Sequence, residues 1–256
     1  MVRIIKAEFI KNMKRKDIQT TIFLAVLLPF LVTYLAHKKV VIISSWHSPL
    51  ENTFMIAFLW GIMIFPLLII VSSANSLSKE IENGSIKLIL SKPLHRRHIF
   101  IAKLTFLFCI CLGISMLVFL SSYFSGLLFY GFNKAASVDK IGNISIPLWK
   151  SLLFTYILGF LGLLFCSTIT LFFSCFFQTS ISIMLPLVML IFSQVLEGKK
   201  ELWYFLPTYL YQFSTIQVHS KDPIKDGLIS MILLIVYIGL LFTAGIMIFE
   251  RKDFKG

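Results

Sequence analysis

Six stretches of this chain, residues 18–36, 53–77, 104–130, 152–177, 181–196 and 228–249, contain no Asp, Glu, Lys, Arg or His. Most match the roughly 20 apolar residues that carry an α-helix through the ~30 Å hydrocarbon core of a bilayer. The fifth is shorter and contains Pro186. Inside lipid every backbone N–H and C=O must find a partner within the protein, so only helices and closed β-barrels can span. A barrel would show segments of about ten residues with alternating polarity, whereas these runs are continuously apolar. The expected fold is an all-α membrane protein with six transmembrane helices. Composition agrees, with 57% of residues hydrophobic and 14% charged, against about a quarter charged in a soluble domain.

The charges gather between the runs. A net charge of +12 would by itself suit nucleic acid, but the connections differ in basic density. Residues 1–17, 78–103, 178–180 and 250–256 hold 15 of the 24 Lys and Arg residues, and the longer set 37–52, 131–151 and 197–227 holds 9. The positive-inside rule places the first set, and with it both termini, in the cytoplasm. The basic residues thus read as topology signals, with membrane lipids as surroundings and no nucleic acid as partner. Cys109, Cys111, Cys166 and Cys175 lie inside apolar runs without metal-ligand spacing and read as small buried hydrophobes. The first run leads into no small-residue cleavage site, so it is expected to stay as an anchor. Heavy use of Phe, Ile and Lys suits an AT-rich bacterial genome, and the expected location is a bacterial plasma membrane.

In residues 1–17, Val2, Ile5, Phe9 and Met13 recur at three- and four-residue spacing, with Arg3, Lys6, Lys14 and Arg15 on other faces. That is the pattern of a helix lying on the inner membrane surface; the alternative is an irregular basic tail that only sets topology. Residues 197–227 are too long for a turn and are rich in aromatics over 202–211, with Pro207 interrupting. They predict two short helices that dip into the outer leaflet and return, or a simple interfacial loop. Gly159, Gly162, Ser167, Thr168 and Thr170 in the fourth run suit close helix packing, with substrate contact the alternative. Gln194, an amide deep in the fifth run, either lines a pathway or satisfies a helix kinked near Pro186.

The connection 78–103 carries the most information. Asn83-Gly84 is a turn signal, Ser85 can cap a following helix, and Pro93 disfavours helix at the residue before it. A short helix over 86–90 is implied, with Ile86, Ile89 and Leu90 on one face. Under two turns long, it is marginal in water unless another molecule packs on it. In order, Glu80, Glu82, Gly84-Ser85, Ile89-Leu90, Pro93, Arg96 or Arg97, and Lys103 read acidic, Gly-small, aliphatic pair, Pro, Arg, Lys.

With the closing Phe249-Glu250-Arg251-Lys252-Asp253-Phe254, this loop resembles that of the membrane subunits of ABC-2-type ATP-binding-cassette exporters, especially the small permeases of peptide-antibiotic resistance and immunity systems. The resemblance covers the chain. It implies that 78–103 forms a coupling helix docking into a groove of a separate, dimeric ATPase subunit. It also implies an amphipathic elbow helix over 1–17, a re-entrant segment over 197–227, and assembly with a second copy or a paralogous permease around a central pathway. The residues alone leave open that Arg96, Arg97 and Lys103 only enforce topology and that Glu80 and Glu82 are solvated partners.

Transporters driven by proton or sodium gradients need ionisable groups within the membrane, and the runs hold none. Nor does the chain contain the Gly-x-x-x-x-Gly-Lys-Ser/Thr phosphate loop. Both absences suit a non-catalytic permease without cofactors of its own, whose ATP and Mg bind a partner chain. No His-Glu-x-x-His occurs, and His95 and His98 lack the third ligand a metal site requires. The expected function is ATP-driven export of an amphipathic or hydrophobic cargo, first a peptide antibiotic, with lipid-linked glycan or sodium export open. The rival classes are a membrane scaffold or sensor, which predicts no ATP dependence, and a channel or scramblase, which predicts flux from this chain alone.

Overall fold

Charge-free sequence in lipid defaults to helix because each residue's backbone groups are then paired locally. The computed structural model follows this rule over the residues it describes, 2–38, 49–58, 64–84, 96–131, 138–141, 144–196 and 200–251. In chain order they form α1 (Val2–Met13), α2 (Lys16–His37), α3 (Pro49–Phe58), α4 (Ile64–Glu82) and α5 (Arg96–Tyr130). A short hairpin of β1 (Val138–Ile141) and β2 (Ile144–Pro147) follows, paired antiparallel with Val138 opposite Pro147. Then come α6 (Leu148–Ser174), α7 (Thr179–Leu196), a 3-10 turn (Lys200–Phe205), α8 (Pro207–Tyr211), α9 (Phe213–His219) and α10 (Pro223–Arg251). Six helices, α2, α4, α5, α6, α7 and α10, are long and apolar enough to cross a membrane.

The helices outrun the apolar stretches that mark them. Residues 53–77 divide between α3 and α4, and α4 continues through the charged turn to Glu82. It stops at Gly84, whose φ of 67° is left-handed and whose N–H donates to the Ile81 carbonyl at 3.1 Å. Only glycine takes that backbone without a Cβ penalty, which makes it a natural helix terminator. At the other side of the connection α5 begins at Arg96, eight residues before the apolar run does. Its 35 residues rise about 52 Å at 1.5 Å per residue, well beyond the hydrocarbon core. Residues 78–82 and 96–103, expected as loop, are therefore helical.

At the centre stands α6, with 72% of its most apolar window buried by other protein, against 22% in α7 and 17% in α10. Helices in lipid gain little from apolar contact alone, so small residues and hydrogen bonds decide where they meet. Gly159, Gly162, Ser167, Thr168 and Thr170 are all buried in α6, as expected of packing residues. A Cβ on Gly162 would lie 2.6 Å from the Tyr211 Cβ, so this glycine is what lets α8 seat against α6.

Residues 207–219 fold inward as short helices packed on α6, α7 and α10. Every residue of α8 is buried, Ser193 and Thr208 share a 2.6 Å hydroxyl contact, and the Phe213 ring stacks on Phe154 with centroids 5.1 Å apart. Pro207 starts α8, where its missing N–H has no helical partner to lose.

A polar cluster fastens α2, α3, α5 and α6 at this same end. Asn52 Nδ2 donates to the Ser122 carbonyl at 2.7 Å, Thr33 and Ser125 hydroxyls meet at 2.9 Å, and the Tyr156 hydroxyl reaches the Thr53 carbonyl at 3.3 Å. Replacing Asn52 with Leu removes one member while Thr33 keeps its bond to the Pro29 carbonyl and Ser125 its bond to Ser122. The expected loss is about 1 kcal/mol, read from unfolding in mixed micelles.

Candidate functional site

Lys103 sits two turns into α5 and is 0% exposed. Its Nζ lies 2.7 Å from Glu80 Oε2 and 3.3 Å from Glu8 Oε1, and donates to the Ser76 carbonyl at 2.5 Å. Lys11 of α1 pairs with the other oxygen of Glu80, and Asn12 Nδ2 donates to Glu8 Oε2 at 2.7 Å. Two cations and two anions from α1, α4 and α5 thus form one electrically neutral cluster, with Glu8, Asn12 and Glu80 buried beside the lysine. A buried cluster of this kind gives little net stability, because desolvation offsets attraction, but it cannot lose one member cheaply. It joins α1, α4 and α5 at one point.

Around it lie further ties. Glu82, at the end of α4, accepts the Thr179 N–H at 2.6 Å and the Thr179 hydroxyl at 2.8 Å. A carboxylate there satisfies an orphan donor and the positive end of the α7 dipole. One turn earlier the Ser78 hydroxyl meets that of Ser182 at 3.0 Å. Arg97, in the first turn of α5, pairs with Glu250 in the last turn of α10. Arg15 and Asp17, at the junction of α1 and α2, pair at 2.5 Å. Arg15 reaches the Ser72 carbonyl at 3.3 Å, and Asn75 Nδ2 donates to Asp17 at 3.3 Å. All these contacts gather at the end of the bundle where α4 stops and α5 starts, which is also where α1 and the last turn of α10 lie.

Of the residues singled out from sequence, Glu80 and Lys103 meet each other, Glu82 binds the start of α7, Arg97 binds α10, and Gly84 ends α4. Arg96 opens α5. Ser85, Ile86, Ile89, Leu90 and Pro93, and the short helix expected over 86–90, lie outside the described residues. Gln194 is apart from this cluster, half-buried on α7 and about 22 Å from Thr179 at 1.5 Å per residue. Its neighbour Ser193 makes the buried contact there.

Sequence reading missed Glu8, Lys11 and Asn12. It followed the apolar stripe of α1, yet Phe9 and Met13 are 36% and 37% exposed while Glu8 and Asn12 turn inward. The available signal was an acid and an amide four residues apart, hence on one helix face, amid otherwise basic charges.

Six helices able to span, two of them joined to α1 at one end by buried ion pairs, define a polytopic membrane protein. A family model described as ABC-2 family transporter protein matches residues 2–254, and the chain belongs to that family. It is thus a multi-pass permease, the membrane subunit of an ABC transporter, from a family that works with a cytoplasmic ABC ATPase. No curated protein gives a significant match.

Proposed function

We propose that this permease exports an amphipathic or hydrophobic cargo, most simply a toxic peptide, using ATP and Mg bound by a separate ATPase dimer. The chain itself is non-catalytic. The end of the bundle carrying Lys103 faces the cytoplasm, α1 lies there as an elbow helix, and the ATPase engages the connection between α4 and α5. Two such chains, identical or paralogous, enclose the pathway.

The observation that carries this reading is the bracketing of that connection. On one side Glu80 and Glu82 tie it to α1, α5 and α7, and on the other Arg97 ties it to α10. A displacement applied between residues 84 and 96 reaches four other elements through short polar contacts. Spans without charge suit a cargo that itself partitions into membrane, and favour peptide over a hydrated ion.

The test is co-expression with the cognate ATPase, purification in lipid and assay of ATP hydrolysis. Wild type is expected to co-purify with the ATPase and to support hydrolysis stimulated by cargo peptide. Gly84→Pro should uncouple the pair, because proline fixes φ near −65° where the chain needs 67°. Glu82→Ala and Arg97→Ala should each lower stimulated hydrolysis several-fold with the ATPase still bound. Absence of ATPase binding, or hydrolysis indifferent to all three changes, would move the scaffold or sensor to the front; cargo flux without ATP would favour the channel.

A further inference from the structure

The flank where α5 and α6 meet carries a groove remote from the charged end. Its volume is about 530 Å³. It starts at Trp149 in the first turn of α6 and runs to Phe160, a rise of about 16 Å at 1.5 Å per residue. That is roughly half of the ~30 Å hydrocarbon core, the depth of one leaflet. Met116 and Leu112 form the facing wall on α5. Phe119 meets Tyr156 edge-on with centroids 5.1 Å apart, and Phe108 meets Phe160 likewise at 5.5 Å, one turn beyond Leu112. The second pair marks the deep end.

Polar atoms along the groove are engaged elsewhere. The Ser115 hydroxyl donates to the Cys111 carbonyl at 2.6 Å, and the Tyr156 hydroxyl contacts Ser122 Oγ and the Thr53 carbonyl, each at 3.3 Å. A peptide backbone lying here would find no hydrogen-bond partners, at a cost of several kcal/mol per group in lipid. At the mouth the character changes. Trp149 is 62% exposed, and Lys150 Nζ stands 5.5 Å from its ring centroid. Lys150 makes no ion pair among the described residues. Trp and Lys together mark the membrane–water boundary, where a lysine stem lies along apolar surface and its ammonium reaches water.

We propose that this groove holds one acyl chain of an anionic phospholipid, with the phosphate beside Lys150. An open apolar groove about one leaflet long matches the chain, and the Lys150 ammonium at its mouth matches the head group.

Native mass spectrometry of the delipidated permease, titrated with phosphatidylglycerol or phosphatidylcholine of identical chains, tests this. Wild type should retain one phosphatidylglycerol per chain with about fivefold preference over phosphatidylcholine, the equivalent of one lysine near an anionic head group. Leu153→Trp, which fills the groove, should abolish retention. Lys150→Gln should keep a lipid but lose the preference. Ile232→Trp, at a similarly exposed apolar position on α10, should change neither. Should Leu153→Trp fail to fold, judged by size exclusion, the Lys150→Gln arm decides alone. Equal retention in wild type and Leu153→Trp, a preference that survives Lys150→Gln, or a retained peptide mass in place of lipid would each overturn the proposal.

Discussion

Lys103→Met is expected to cost the fold about 3–5 kcal/mol, the range for removing one partner from a buried ion pair. Glu8 and Glu80 would then keep a single cation, Lys11, whose side chain is 47% exposed, and the Ser76 carbonyl would lose its donor. Lys103→Arg should fail nearly as badly, because a planar fork cannot occupy a fully enclosed site shaped for three short contacts to an ammonium. The diagnostic variant is Lys103→Met combined with Glu80→Gln, which removes opposite charges together. It should recover a substantial part of the loss, since a neutral replacement of both partners is tolerated far better than an orphaned charge. Unfolding titrations in mixed micelles, followed by helical circular dichroism, would show it. A loss below about 1 kcal/mol for the single variant would mean that the carboxylates are already hydrated or protonated, and that the cluster does not set the register of α1, α4 and α5.

Gly162→Ala is the second change with a large expected effect, although it adds one methyl group. The new Cβ would stand 2.6 Å from both Cβ and Cγ of Tyr211, closer than such atoms approach, and neither is the free tip of a flexible side chain. Because both residues are buried in helices, α8 must shift bodily from α6. Overpacking of that kind costs about 1–3 kcal/mol, and Gly162→Leu should cost more. Gly239 in α10 provides the contrast, since nothing lies within 4 Å of its notional Cβ. Gly239→Ala should be neutral or gain up to about 1 kcal/mol from helix propensity. Limited proteolysis between residues 200 and 219 would report release of α8 in the first variant and not in the second. Equal behaviour of the two glycines would refute the close approach.

The six spans were legible because lipid permits so few backbone solutions, and a run without charge is sufficient to announce one. Their ends were less so. A charge-free criterion must start α5 only after Lys103, since nothing local reveals that two carboxylates from other helices bury this lysine. The short helices before α10 could be read from the aromatics and Pro207. That Tyr211 presses on Gly162 could not, because small residues along α6 announce close packing without naming the neighbour. The charged cluster was half visible. Glu80 and Lys103 stood out in the loop pattern, but Glu8 is 95 residues from Lys103, and only the relative rotation of three helices brings them together. In α1 the apolar stripe drew attention to Phe9, which meets Phe106 of α5 edge-on with centroids 5.3 Å apart, and away from the neighbouring polar face that carries Glu8 and Asn12.

The neutral cluster also bears on how this protein is made. Glu8, Lys11 and Glu80 leave the ribosome before Lys103 does, and at about 5–20 residues per second the 23-residue separation of Glu80 and Lys103 corresponds to roughly 1–5 s. Through that interval the nascent chain carries two carboxylates and only one of the two cations that will neutralise them. The arrival of Lys103 completes the balance and allows α1, α4 and α5 to close on one another.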